Sequence, residues 1–124
     1  MKKILLLDDD QEILLVVEAL FIMERFEVQT TNTCTNFIPM AEEFRPDTII
    51  LDYRLSNGNG GEICRKLKAH PSFKNTPVII FSAFAQPDFD FMQFGCDEFI
   101  AKPFDIDELV GATRRLLGFK QLSA

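Results

Sequence analysis

The sequence predicts an α/β domain, with a five-stranded parallel sheet covered by helices on both faces. Three observations carry that prediction. Short apolar or β-branched runs alternate with stretches of helical spacing along the chain. The first run, residues 4–7, is continuously apolar, which marks a strand buried on both sides. No repeat, low-complexity tract or linker interrupts the order, so the 124 residues are expected to form one domain over positions 1–124.

The elements follow in order. Residues 4–7 are the first strand. From residue 11 to about residue 25, Ile13, Val16, Val17 and Leu20 recur at helical spacing and set the face expected to meet the sheet. Leu14, Leu15 and Ile22 then point away from it. "EVQTT" is a short second strand, and "TNFIPMAEEF" a helix that tolerates Pro39 because it lies near the start. "PDTIILD" is a third strand ending on Asp52. "SNGNGGE" is turn chemistry, and "GEICRKLKAH" a helix stopped by Pro71. "TPVIIFS" is a fourth strand ending on Ser82, and "DFDFMQF" allows at most two helical turns. "EFIA" is the fifth strand, ahead of Lys102 and Pro103. "DIDELVGATRRLLGF" is the last helix, with Asp105 as N-cap and Gly118 as terminator.

Composition narrows the function. Apolar residues make up 47%, charged residues 26%, and the formal net charge is −6. Without a run of Lys or Arg, the chain lacks the basic patch of a nucleic-acid binder. "MKKILLL" starts like a signal peptide, but three aspartates end its apolar run. No stretch approaches the ~20 apolar residues of a membrane span. Cys34, Cys64 and Cys96 are odd in number and widely spaced, so three buried reduced thiols are expected. These features predict a cytoplasmic protein that binds neither nucleic acid nor membrane.

In an open α/β sheet the ligand site lies beyond the carboxyl ends of the strands. There the sequence delivers Asp8 and Asp9, then Asp52, Ser82 and Lys102, each directly after an apolar run. Carboxylates in contact repel by about 4 kcal/mol at an effective dielectric of 20, and a cation among them relieves this. Oxygen ligands without His or thiolate suit Mg²⁺, and a carboxylate such as Asp52 can accept a phosphoryl group. Each residue also has a plainer reading. The three aspartates could cap a helix, with Asp10 the expected cap, Asp52 could begin a turn, and Lys102 could be solvated. Their convergence at one edge favours phosphoryl transfer onto an aspartate.

"LLLDDD", "TIILDYRL", "VIIFSA" and "FIAKPF" resemble the four signature segments of the response-regulator receiver domain, of the stand-alone chemotaxis-regulator type. The resemblance covers essentially the whole chain. It implies a doubly wound, flavodoxin-like (βα)5 fold with strand order 2-1-3-4-5. It also implies a two-component or phosphorelay switch that takes a phosphoryl group onto Asp52 from a histidine kinase or histidine phosphotransfer domain. By resemblance, Asp9 binds Mg²⁺ (or Mn²⁺) directly, Asp8 holds it through water, and Asp52 and the backbone carbonyl of Arg54 complete the set. Ser82 moves to the phosphoryl group, Lys102 pairs with it, and Phe99 is the aromatic switch. The bond to Pro103 is a cis-peptide candidate, and Arg54 and Phe84 tune dephosphorylation. Such a chain catalyses only its own phosphorylation and dephosphorylation. With no fused output domain expected, it acts through a separate downstream protein, as a monomer or weak homodimer, or else it is a phosphorelay intermediate or one domain of a larger protein.

Three departures from the pattern stand out, the first being Phe84, which at its tuning position is expected to screen the phosphoryl group from attacking water. Ser56 replaces the usual proline, which is expected to loosen the loop before Gly60 without touching the chemistry. The stretch from Ser82 to Lys102 is about two residues short and contains Pro87, so its helix should be short or distorted. Leu14, Leu15 and Ile22 lie near the edge that docks the kinase in receivers, and are expected to form that surface or a homodimer contact.

Three other functions compete. A haloacid-dehalogenase-like aspartyl phosphatase would use Asp8 as nucleophile, but Glu12 stands where its motif needs Thr or Val. A flavodoxin would place Asp8 to Asp10 against its cofactor's phosphate. A degenerate receiver would serve only as a binding scaffold.

Overall fold

The computed structural model describes residues 1–83 and 89–118. In chain order these residues form β1 (Lys3–Leu7), α1 (Gln11–Met23), β2 (Glu27–Thr31), α2 (Phe37–Phe44) and β3 (Thr48–Asp52). There follow the two-residue strands β4 (Arg54–Leu55) and β5 (Gly58–Asn59), α3 (Gly60–Ala69) and β6 (Val78–Ser82). A single 3₁₀ turn (Phe91–Phe94), β7 (Glu98–Ala101) and α4 (Ile106–Leu116) complete the order. The main sheet runs β2-β1-β3-β6-β7 with every pairing parallel. Counted among these five strands alone, the order is 2-1-3-4-5.

Alternation along each strand splits the apolar runs between two layers. Leu5, Leu7, Ile49, Leu51, Val78 and Ile80 pack with α2, α3 and the 3₁₀ turn. Ile4, Leu6, Ile50, Ile79, Phe81 and Ile100 pack with α1 and α4 on the other face. β3 and β6 are buried along their whole length, which is why their sequences carry no polar alternation. Each such side chain contributes about 1.5–3 kcal/mol by leaving water.

The rotation of α1 differs from the periodicity reading. Its buried residues are Leu14, Val17 and Phe21, with Ile13 and Leu20 packed against the same core as expected, whereas Val16 is 58% exposed. The helix is apolar almost all round, and its largest side chain decides which stripe goes in. Phe21 is fully buried and meets Phe26 edge-on at 5.5 Å. Leu14 and Val17 lie seven and four residues before it, on the same stripe. Leu14, only 4% exposed, therefore belongs to the core and not to a partner surface, while Leu15 and Ile22 stay exposed at 65% and 56%.

Ends and connections follow local chemistry. Asp10 caps α1 by accepting from Glu12 N at 2.9 Å, and Asp105 caps α4 by accepting from Asp107 N at 3.1 Å. Pro39 is the third residue of α2, where its missing N–H costs no helical bond. Gly118, at φ 76, ends α4. The turn residues after Asp52 form a small antiparallel hairpin, and Asn59 caps α3 by accepting from Glu62 N at 3.0 Å. A β-carbon at Gly60 would collide with the carbonyl oxygen of Asp52, so only glycine lets α3 start this close to β3.

The fourth helical segment is the 3₁₀ turn, with Phe91 and Phe94 buried and Phe89 half-buried. Phe84 and Pro87 lie outside the described residues. All three cysteines are free. Cys64 and Cys96 are buried, but Cys34 is only half-buried, against the expectation for it. Among the described residues, no helix is long and apolar enough to cross a membrane.

Candidate functional site

Strand register brings the polar residues to one edge. Leu7 pairs with Leu51, so Asp8 and Asp52 come next at the same height. Asp52 pairs with Phe81 and Ser82 with Ala101, which sets Ser82 and Lys102 immediately beyond. The backbone N–H of Lys102 donates to the Ser82 carbonyl at 2.8 Å, fixing the end of β7 to the end of β6.

The three adjacent aspartates do three different things. Asp8 is fully buried, and its Oδ2 accepts from Lys102 Nζ at 2.7 Å while its Oδ1 accepts from Asp10 N at 2.9 Å. Asp9 is exposed, and its Oδ2 accepts from the Ser56 hydroxyl at 2.9 Å. Asp10 is the helix cap. The repulsion implicit in the sequence is thus reduced by divergence and by one ammonium group.

That ammonium is shared. Lys102 Nζ lies 3.5 Å from Asp52 Oδ1 and 4.5 Å from the Phe81 ring centre, so a buried aromatic face supports it. Asp52 remains under strong electrostatic pressure. Burial first, and then the neighbouring Asp8 charge, push its carboxyl from 3.8 up to about 7, with Lys102 opposing. A shared hydrogen bond with Asp8 and the Asp9 charge raise it further.

One carboxylate oxygen from each of Asp8, Asp9 and Asp52 lies within 4.8 Å of the others. Three carboxylates face one ammonium, and every available donor is a hard oxygen. The donor set fits a divalent cation of the Mg²⁺ kind.

The remaining expected residues fall as follows. Ser82 is buried beside Asp52's strand. Arg54 sits on the exposed hairpin two residues past Asp52. Phe99 is half-buried and stacks on Phe91, with centroids 4.0 Å apart and planes at 11°. The Lys102–Pro103 peptide bond is cis. Two contributors are not visible in the sequence. Phe81 carries no sign of its role until register sets it beneath Lys102. Ser56 does touch the site, contrary to expectation, because the hairpin folds back over Asp9.

The fold and this edge define a class of protein: doubly wound α/β, with its polar chemistry beyond β1, β3, β6 and β7. The family model for the response regulator receiver domain matches residues 4–114, and the chain belongs to that family. The response regulator ArlR of Staphylococcus aureus is 35% identical over 120 residues, covering 94% of this chain and 53% of ArlR. The chain thus spans about half the length of the curated relatives it matches. Among solved structures, the receiver domain of the sensor histidine kinase PA1611 from Pseudomonas aeruginosa PAO1 is 28% identical, with a TM-score of 0.85 over 94% of this chain and 98% of that one. It holds a magnesium ion coordinated in its active-site cleft. The chemotaxis response regulator CheY4 of Vibrio cholerae shares the fold at a TM-score of 0.86 and 24% identity, covering 94% and 98% of the two chains. Membership of the receiver family sets aside the phosphatase and flavodoxin alternatives.

Proposed function

We propose that Asp52 accepts a phosphoryl group from the phosphohistidine of a histidine kinase or phosphotransfer domain, with Mg²⁺ or Mn²⁺ required. The observation that carries this reading is a buried strand-end carboxylate 3.5 Å from a lysine ammonium and grouped with two further carboxylates. An Asp52 oxygen attacks phosphorus, the phosphorus–nitrogen bond breaks, and the imidazole leaves with the electron pair. Asp8, Asp9 and Asp52, with the Arg54 carbonyl, would hold the cation, which when bound neutralises charge on the phosphoryl oxygens. Lys102 supplies a second positive charge from its seat on Phe81, and Ser82 offers a hydroxyl from the adjoining strand end. Phe99 and its stacked partner Phe91 then repack, shifting the population toward a partner-binding surface.

Intact-mass analysis after incubation with acetyl phosphate tests the reaction. One phosphoryl adduct that requires the divalent cation, and is missing from Asp52→Ala, is the expected result. Beryllofluoride, a stable phosphoryl mimic, serves as the second probe. Failure to bind it as well would support the scaffold reading.

For the phosphodonor we propose the outer face of α1. Leu15, Val16, Ile22 and Met23 are exposed there, and on the Val16 side of the helix a groove of about 360 Å³ is lined by Asp10, Ile13, Val16 and Phe104. Leu15→Asp with Ile22→Asp is expected to slow transfer from a cognate kinase roughly tenfold or more, while labelling by acetyl phosphate is unchanged. Equal loss with both donors would refute a docking role.

A further inference from the structure

Ser56 lies at the tip of the β4–β5 hairpin, and its hydroxyl donates to Asp9 Oδ2 at 2.9 Å across 47 residues of sequence. The neighbouring residue anchors that tip. Asn57 Oδ1 accepts from Cys34 N at 3.4 Å and from Cys34 Sγ at 2.8 Å. Asn57 Nδ2 donates to Thr33 Oγ1 at 2.9 Å and to Thr35 Oγ1 at 3.2 Å. The Ser56 hydroxyl is therefore presented by a loop clamped to the segment after β2, and does not dangle from a free turn.

Asp9 needs such a partner more than its neighbours do. Asp8 is buried and held by Lys102 and by the Asp10 N–H. Asp9 is exposed, and Ser56 makes its one side-chain hydrogen bond among the described residues. A lone exposed carboxylate samples several rotamers, and each must be given up when it ligates an ion. A neutral hydroxyl on one oxygen restricts the rotamers while leaving the other oxygen's lone pairs available, and it adds no charge to compete with a cation.

We infer that Ser56 is a positioning residue, which orients the Asp9 carboxylate for a divalent cation. The inference rests on the metal-binding part of the proposed function. It assigns this chain's departure at position 56 a role in ligand orientation that proline, lacking a hydroxyl, cannot fill.

Isothermal titration of Mg²⁺ into the full chain tests it, with wild type, Ser56→Ala, Ser56→Thr and Asp9→Asn compared. Ser56→Ala is expected to weaken Kd about tenfold. Ser56→Thr, which keeps the hydroxyl, should stay within about twofold of wild type. Because Ser56 is exposed, the metal-free melting temperatures of wild type and Ser56→Ala should coincide, separating orientation from folding. If Asp9→Asn abolishes binding while Ser56→Ala matches wild type, the inference is overturned and the metal site stands. If wild type shows no saturable Mg²⁺ binding, the metal reading falls and this inference with it.

Discussion

Asp52 carries the sharpest electrostatic conflict among the described side chains, and that conflict has a measurable sign. Its carboxyl is raised from 3.8 to about 7, so between those values the folded chain binds more protons here than the unfolded chain. The contribution of Asp52 to stability is therefore intact below about pH 4 and is lost as pH rises toward 7. In chelator, Asp52→Asn should melt close to wild type at pH 4 and several degrees higher at pH 7.5. A gap that stays constant across this range would contradict the assignment. Two buried thiols are displaced as well. Burial pushes Cys64 up to about 12 and Cys96 up to about 11, so neither supplies thiolate at pH 8. Iodoacetamide should add one group to the native chain, at Cys34, and three after denaturation, as counted by intact mass.

At the scale of elements, α1 teaches the most. "QEILLVVEALFIM" offers apolar residues on nearly every side, so periodicity alone leaves its rotation undetermined. Phe21 decides by filling the largest space against the sheet, and Leu14 goes inward with it. Leu14→Ala should cost about 2–4 kcal/mol, and Leu15→Ala within about 0.5, measured by denaturant unfolding. Equal costs would contradict this rotation. The hairpin after β3 is the second lesson. Its glycines and asparagines announce a turn, but nothing local reveals that Ser56 will reach Asp9, a contact created when two strand ends are brought level. The Lys102–Phe81 contact is hidden for the same reason, since it depends on the β6–β7 register.

Across the whole molecule, the legible features are those that short-range chemistry dictates. Strands buried on both faces must be continuously apolar, so their positions, parallel pairing and alternation with helices can be read directly. Because every such strand ends at the same edge, Asp8, Asp9, Asp52, Ser82 and Lys102 can be grouped from the order of residues alone. How one helix rolls on the sheet, and how distant loops meet, is decided by packing between segments far apart in the chain, and no local pattern encodes it.

Tyr53 follows Asp52 in the chain and is its only tyrosine, and tryptophan is absent. Its ring meets Phe91 at 5.0 Å, Phe89 at 5.6 Å and Phe94 at 5.7 Å, among the aromatics that lead to Phe99. Ultraviolet-excited tyrosine emission from an unlabelled sample therefore comes from a single position, one peptide bond from Asp52. The protein carries its own fluorophore where the acidic edge joins the aromatic cluster, and titrating cation or beryllofluoride against that emission would follow events at the edge without any added dye.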